Sequence, residues 1–120
     1  MNAMNATNAT RVLLDELLAL PEVEEADGDM AGERSFRVGG REFLHVHGSS
    51  LLHIGLTREQ KAAAIAAGEA RPHPYAPNSG AIELHLRSLD QLPAARRLAA
   101  LALERTAALA RRFPARATAR

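Results

Sequence analysis

The chain has no cysteine and no tryptophan, and only four Phe and Tyr side chains, Phe36, Phe43, Tyr75 and Phe113. Without cysteine there are no disulfides, no thiolate metal sites and no cysteine nucleophile. No apolar run approaches the roughly 20 residues that cross a bilayer. The N-terminus lacks the hydrophobic core of a signal peptide, so a cytoplasmic protein without membrane association is expected. Lysine is nearly absent too. Lys61 is the one lysine among 15 basic residues, which meet 14 acidic ones for a net charge of +1. That balance supplies no overall basic field and argues against nucleic acid as a partner. The arginine excess, together with abundant alanine, fits a GC-rich genome and carries little functional weight.

At 120 residues the chain makes one domain around one core. The degenerate triplets of residues 1–9 have little apolar bulk and read as a disordered tail. Residues 10–113 read as a single α+β domain, and residues 114–120 as a flexible basic tail. Thr10 is placed to cap a helix over Arg11–Leu20, which Pro21 ends. The acidic stretch Glu22–Asp29 reads either as a short edge strand around Val23 or as a loop. Strand signals follow at Ser35–Val38, Arg41–His47, Leu51–Gly55 and Ala81–Arg87. Thr57-Arg58-Glu59-Gln60 is a capping box for a helix that stops at Gly68. Three prolines make Glu69–Gly80 a loop. A last helix runs from about Asp90 to Arg112, with Pro93 in its first turn and Leu98, Leu101, Ala102, Leu109 and Phe113 as its apolar stripe. The expected order is α-β-β-β-α-β-α, with an antiparallel sheet of about four strands and helices on one face.

What the chain has in quantity is histidine in one place. All five histidines lie between His45 and His85, three of them in the run Leu44-His45-Val46-His47-Gly48-Ser49-Ser50-Leu51-Leu52-His53. Strand side chains alternate between faces, so His45 and His47 should share a face with Phe43, opposite Leu44 and Val46. Gly39-Gly40 suits a type I′ turn, which pairs Val38 with Arg41 and Phe36 with Phe43. A two-residue Gly48-Ser49 loop would set His45 opposite Leu52. A three-residue loop, Gly48 to Ser50, sets His45 opposite His53 and His47 opposite Leu51. Only the longer loop keeps Leu44, Val46, Leu52 and Ile54 on one face, and it is the expected one. The other face then collects His45, His47, His53 and His85 with Phe36, Val38, Phe43 and Leu51. That mixture is too apolar for a solvated surface, and suggests a ligand pocket or a face covered by the final helix or by a second subunit in a homodimer.

Three chemistries suit such a face. His45 and His53 across a ladder have Cβ atoms about 5 Å apart, within reach of one metal ion, with His47 or His73 as a third ligand. One imidazole could instead accept a proton from a bound phenol or enol. The plain alternative is partly buried histidines bonded to backbone and water. The His-x-His spacing alone is no zinc signature, so no metal or other cofactor is assigned; His45, His47 and His53 are the ligands if one binds. His73-Pro74, with Tyr75 and Asn78, could form a loop lid over the face. Ser49 and Ser50 sit in a hairpin turn without a nucleophile elbow, and Gly39-Gly40 is followed by no helix that would cradle phosphate.

Phe36-Arg37-Val38-Gly39-Gly40-Arg41-Glu42-Phe43, then His45-x-His47, Leu52-His53, Ala67-Gly68-Glu69-Ala70 and His73-Pro74, resemble the small domain of bacterial luciferase-family proteins, a domain shared with fungal luciferases. The resemblance covers roughly residues 34–112. Its order of helices and strands also resembles YjbR-like proteins, some regarded as DNA-binding. The luciferase resemblance implies the α+β fold and makes His45, His47, His53 and His73 the family's motif histidines. It also implies oxygen-dependent oxidation of a hydroxypyrone without a flavin. The chain departs from the family's pattern in lacking the Trp often seen near Gly68 and the longer flanking sequence of the fungal enzymes, so light emission is not expected. In the reading that follows, His45 or His53 takes the proton of a small aromatic or enolic ligand. Phe36, Phe43, His47, His73, Tyr75 and His85 line its site. A non-catalytic binding module for nucleic acid or protein is the alternative.

Overall fold

Two consecutive glycines set the register at the centre of the sheet. In a computed structural model of the chain, which describes residues 2–114, Gly39 and Gly40 have φ of 59° and 78°. These are the left-handed values a type I′ turn demands, and Val38 pairs with Arg41 across the turn. The turn joins β2 (Glu33–Val38) to β3 (Arg41–His47), and β4 (Leu51–Gly55) follows after a three-residue loop. β1 (Val23–Asp27), β5 (Arg71–Pro72) and β6 (Ala81–His85) complete an antiparallel sheet of order β1-β2-β3-β4-β6-β5. The helices are α1 (Asn2–Leu18), α2 (Arg58–Ala66) and α3 (Leu92–Arg112), the last entered through a single 3₁₀ turn at Leu89–Gln91.

The α+β class and the central strands match the expectation, and the strand count is six rather than about four. Both additional strands are edges with weak period-2 signals. β1 buries only Val23, and β5 contains Pro72, whose missing N–H suits an edge. The helix expected from Arg11 instead begins at Asn2. No proline or glycine interrupts that stretch. Ala9 is fully buried, and the Thr10 hydroxyl, in place of capping, donates to the Leu86 carbonyl at 3.1 Å. This bond ties α1 to the end of β6. Most of the tail expected at residues 114–120 lies outside the described residues.

The aliphatic face of the sheet carries the core. Leu44, Val46, Leu52, Ile54, Ile82 and Leu84 are buried there with Leu13, Leu14 and Leu17 of α1 and Ala95, Leu98, Ala99 and Ala102 of α3. α3 lies across β2, β3 and β4, while α2 packs against β5 and β6. The capping box of α2 forms as expected, with Thr57 and Gln60 exchanging two bonds of 3.0 Å. Phe113, expected in the α3 stripe, is exposed. No helix among the described residues is long and apolar enough to cross a membrane.

One irregularity decides what the other face contains. Arg37 pairs with Glu42, but Phe36 pairs with Leu44, so Phe43 is an extra residue in β3. Such a β-bulge shifts side-chain parity by one position. Glu42 and His45 therefore lie on the same face, hydrogen-bonded at 2.9 Å, with Phe43 and Leu44 between them in the core. Phe36 is 0% exposed and Phe43 1%. The expected Phe36–Phe43 pair is corrected by this bulge, which sets Phe36 opposite Leu44 instead. Val38 joins the core as well.

The loop between β5 and β6 is pinned from below. Lys61 of α2 donates from Nζ to the Pro77 and Ser79 carbonyls at 2.5 and 2.7 Å. Lys61→Met keeps the buried stem and removes both charge-assisted bonds. Faster amide exchange at Tyr75–Ser79, with the sheet amides unchanged, is the expected outcome by hydrogen-exchange mass spectrometry. A Cβ on Gly80 would sit 1.8 Å from the Leu56 carbonyl oxygen, whereas one on Gly48 meets nothing within 4 Å. Gly48→Ala should therefore cost about 1–2 kcal/mol, the strain of its left-handed φ. Gly80→Ala should lower the thermal unfolding midpoint by clearly more.

Candidate functional site

On a flat antiparallel ladder, directly opposed residues sit close enough for their side chains to bond. His45 and His53 are such a pair, and His47 faces Leu51, the register of the three-residue loop. β6 places Glu83 opposite His53, and β2 places Ser35 opposite His45 and Glu33 opposite His47. Four strands thus contribute polar side chains to one surface, and Leu51 is the remaining member of the apolar set expected there.

These side chains form a continuous hydrogen-bonded chain across the sheet. Glu42 Oε2 meets His45 Nδ1 at 2.9 Å, His45 Nε2 meets His53 Nδ1 at 2.8 Å, and His53 Nε2 meets Glu83 Oε2 at 2.9 Å. Beyond the carboxylates, Ser35 donates to Glu42 Oε1 at 2.6 Å and itself accepts from Arg37 Nε at 3.0 Å. At the far end Arg71 donates to Glu83 Oε1 at 2.9 Å. Two ionised carboxylates only accept, so each end of the histidine pair must present an N–H. The bond between the rings needs one N–H more. Three hydrogens on two imidazoles make one imidazolium and one neutral ring.

The electrostatics assign the charge to His45. Burial disfavours its charged form, but the Glu42 hydrogen bond and the charges of Glu42, Glu33 and Asp29 outweigh burial and raise its pKa. Burial lowers the pKa of His53, against the pull of Glu83 and with the repulsion of His73, His45 and His47. Glu83 is held below the ordinary carboxylate range by its His53 hydrogen bond and by the charges of His53 and Arg71. Burial opposes ionisation of Glu42, yet its bonds from His45 and Ser35 lower its pKa as well. His53 is 6% exposed, so the inner ring of the pair is shielded from water.

The remaining histidines divide. His47 points Nε2 at Glu33 Oε2, 3.3 Å away, and that oxygen is 3.9 Å from His45 Nε2. His73 reaches the face because β5 pairs with β6 and the His73 N–H continues the ladder to the Ala81 carbonyl. Its ring stands 4.0 Å from that of His53, centre to centre. His73 Nδ1 accepts the Tyr75 N–H at 3.0 Å, which leaves Nε2 to carry the hydrogen of the neutral ring. Burial, then the charge of His45, lowers the His73 pKa. A cleft of about 200 Å³ opens beside His45, His53 and His73, bordered by Phe43, Ala76 and Ala81. Tyr75 is 91% exposed and stands outside this cleft. His85 opposes Leu51 on the same face, but its Nδ1 is taken by Arg87 at 2.7 Å and it stands apart from the four clustered rings.

Glu33, Glu42, Glu83, Ser35 and Arg71 were not among the residues expected at the site. Glu83 had a usable signal, because it alternates with Ile82, Leu84 and Leu86. For Glu42 the signal was a misfit: regular alternation would have grouped a carboxylate with Leu44 and Val46 on the core face.

Residues 40–102 match the family model described as the Luciferase domain. No curated protein matches the chain, and no solved structure does. The matched stretch holds Glu42, the four clustered histidines and Glu83, and stops short of Glu33 and Ser35 on β2. It covers just over half of the sequence. The chain therefore belongs to the luciferase-domain family.

Proposed function

We propose that the histidine face binds a small enolic or phenolic ligand, takes its acidic proton and supports oxygenation of the resulting carbanion without a flavin. The observation that carries this reading is the 2.8 Å contact of two imidazole nitrogens with a carboxylate behind each ring. A ligand hydroxyl entering between His45 Nε2–H and the His53 Nδ1 lone pair would give its proton to His53. The enolate oxygen would then accept hydrogen bonds from both rings. Each imidazolium would be backed by its own carboxylate, Glu42 or Glu83, and the two rings would be bridged by the new anion. Charge is thereby matched along the whole chain.

His53 is the base in this scheme and His45 the hydrogen-bond donor. His73 borders the cleft as a neutral donor, and His47 stands beside it, held by Glu33. The carbanion's electron pair adds to molecular oxygen, and the peroxide anion takes a proton back from His53. The net change is addition of oxygen to the ligand as a hydroperoxide. The family description supports the reaction class, and the imidazole pair supports the proton step. The cleft is small, so it suits one planar ring entering edge-on rather than a bulky substrate.

The test uses polyhydroxylated pyrones with oxygen consumption as the readout. The ultraviolet shift of the pyrone on ionisation reports binding separately. Wild-type protein should bind the ionised form and consume oxygen. His53→Ala should lose about 10²–10⁴-fold in turnover, the usual contribution of a positioned base. Glu83→Gln should lose less and retain binding. Absence of the ionisation shift, or equal oxygen uptake in His53→Ala, would sink the reading.

A further inference from the structure

The same donors converge in a second way. A tetrahedral ion with ligands at about 2.0–2.1 Å holds its donor atoms about 3.3 Å from one another. His45 Nε2 and His53 Nδ1 are 2.8 Å apart, His47 Nε2 and Glu33 Oε2 3.3 Å, and Glu33 Oε2 and His45 Nε2 3.9 Å. His45, His47 and His53 each offer a ligand atom within 4.8 Å of the others. The three imidazoles thus cluster around one centre, and Glu33 Oε2 stands beside two of them, His47 and His45.

We propose that His45, His47 and His53, with Glu33 as fourth ligand, bind a divalent transition metal ion of the zinc class. The groups behind the ligands favour it. A metal-bound imidazole is usually oriented by donating its other N–H to a carboxylate, which fixes the ring and raises its basicity. His45 Nδ1 has Glu42 and His53 Nε2 has Glu83, each at 2.9 Å. Those carboxylates are fixed in turn by Ser35 and Arg71, and Glu33 Oε1 accepts the Asp29 N–H at 3.0 Å. All four ligands stand on β2, β3 and β4, neighbouring strands whose register is set by the Gly39-Gly40 turn and the Gly48–Ser50 loop. Three imidazoles select zinc, cobalt, nickel or copper over magnesium or calcium, which take oxygen donors. Three carboxylates on the face, Glu33, Glu42 and Glu83, supply the compensating negative charge.

This inference goes beyond the proposed oxygenation, because the ion would replace the hydrogen between His45 and His53. The two occupants exclude each other at that position. A metal-bound protein and a metal-free acid–base site are therefore distinct states, each with its own readout.

Untagged full-length protein, stripped with a chelator, is titrated with zinc sulfate by calorimetry and with cobalt(II) by visible absorption. One ion per chain is expected, with the intense visible bands of tetrahedral cobalt. His47→Ala should abolish those bands. Glu42→Gln, which touches no metal, should keep the stoichiometry and weaken affinity about 10–100-fold. Circular dichroism of each variant confirms that it is folded. No stoichiometric binding by folded wild-type protein, octahedral cobalt spectra, or unaltered binding in folded His47→Ala overturns the site. Oxygen uptake measured on the same chelated protein reports on the proposed reaction separately, so either idea can fail alone.

Discussion

A hydrogen bond between two imidazoles cannot form when both rings are fully protonated, and His45–His53 imposes that constraint on everything around it. The pair sits between Glu42 and Glu83, so its hydrogen count is fixed at three and its charge at one. The neighbours are arranged to hold that charge on the outer ring. Glu42, Glu33 and Asp29 surround His45, while His53 lies deeper and is faced by other imidazoles. Ser35 and Arg37 at one end and Arg71 at the other keep the carboxylates ionised and aimed. Buried polar networks of this kind add order when every member is satisfied and are costly when one is not. Here no buried side-chain polar atom among the described residues lacks a partner.

The sheet separates two tasks by face. Its aliphatic side carries α1 and α3 and contributes burial, which drives folding and is indifferent to direction. Its other side carries the linked histidines and carboxylates and contributes geometry. The bulge at Phe43 is the device that lets one strand serve both. It sends two consecutive large side chains into the core and returns Glu42 and His45 to the same surface. A regular strand with this sequence would have buried Glu42 beneath α3 and separated the rings from one of their two carboxylates.

Much of this was legible in the residues. Gly39-Gly40 specified its turn because positive φ at both positions is costly for other residues. The clustering of Leu44, Val46, Leu52 and Ile54 selected the three-residue loop and with it the His45–His53 pairing. Thr57 and Gln60 announced α2. The bulge was not legible in the same way, since no glycine or proline marks it. Its trace was the misplaced carboxylate at Glu42, which reads as an error only when faces are assigned residue by residue. Glu33 lay just before the expected strand, and its place beneath His47 depends on that same shift of register. The start of α1 departs from the local signal for another reason. Burial of Ala9 and the Thr10–Leu86 bond are tertiary contacts, and these outweigh the weak local propensity of an Asn-, Ala- and Thr-rich run.

The strand order β4-β6-β5 has a consequence for how the surface comes together in time. β2, β3 and β4 are joined by two tight loops, so their mutual contacts close over short stretches of chain and carry little loop entropy. β6 must instead return across α2 and β5 to lie against β4, bringing Glu83 to His53 from 30 residues away. Local pairings precede distant ones in folding, as a rule of topology. The two facing imidazoles and Glu42 all belong to the locally connected meander β2–β3–β4. The long-range strand β6 supplies the second carboxylate and, through the β5 pairing that precedes it, brings in His73. The polar chain is thus closed only when β6 lies against β4, which makes it a marker of that long-range pairing.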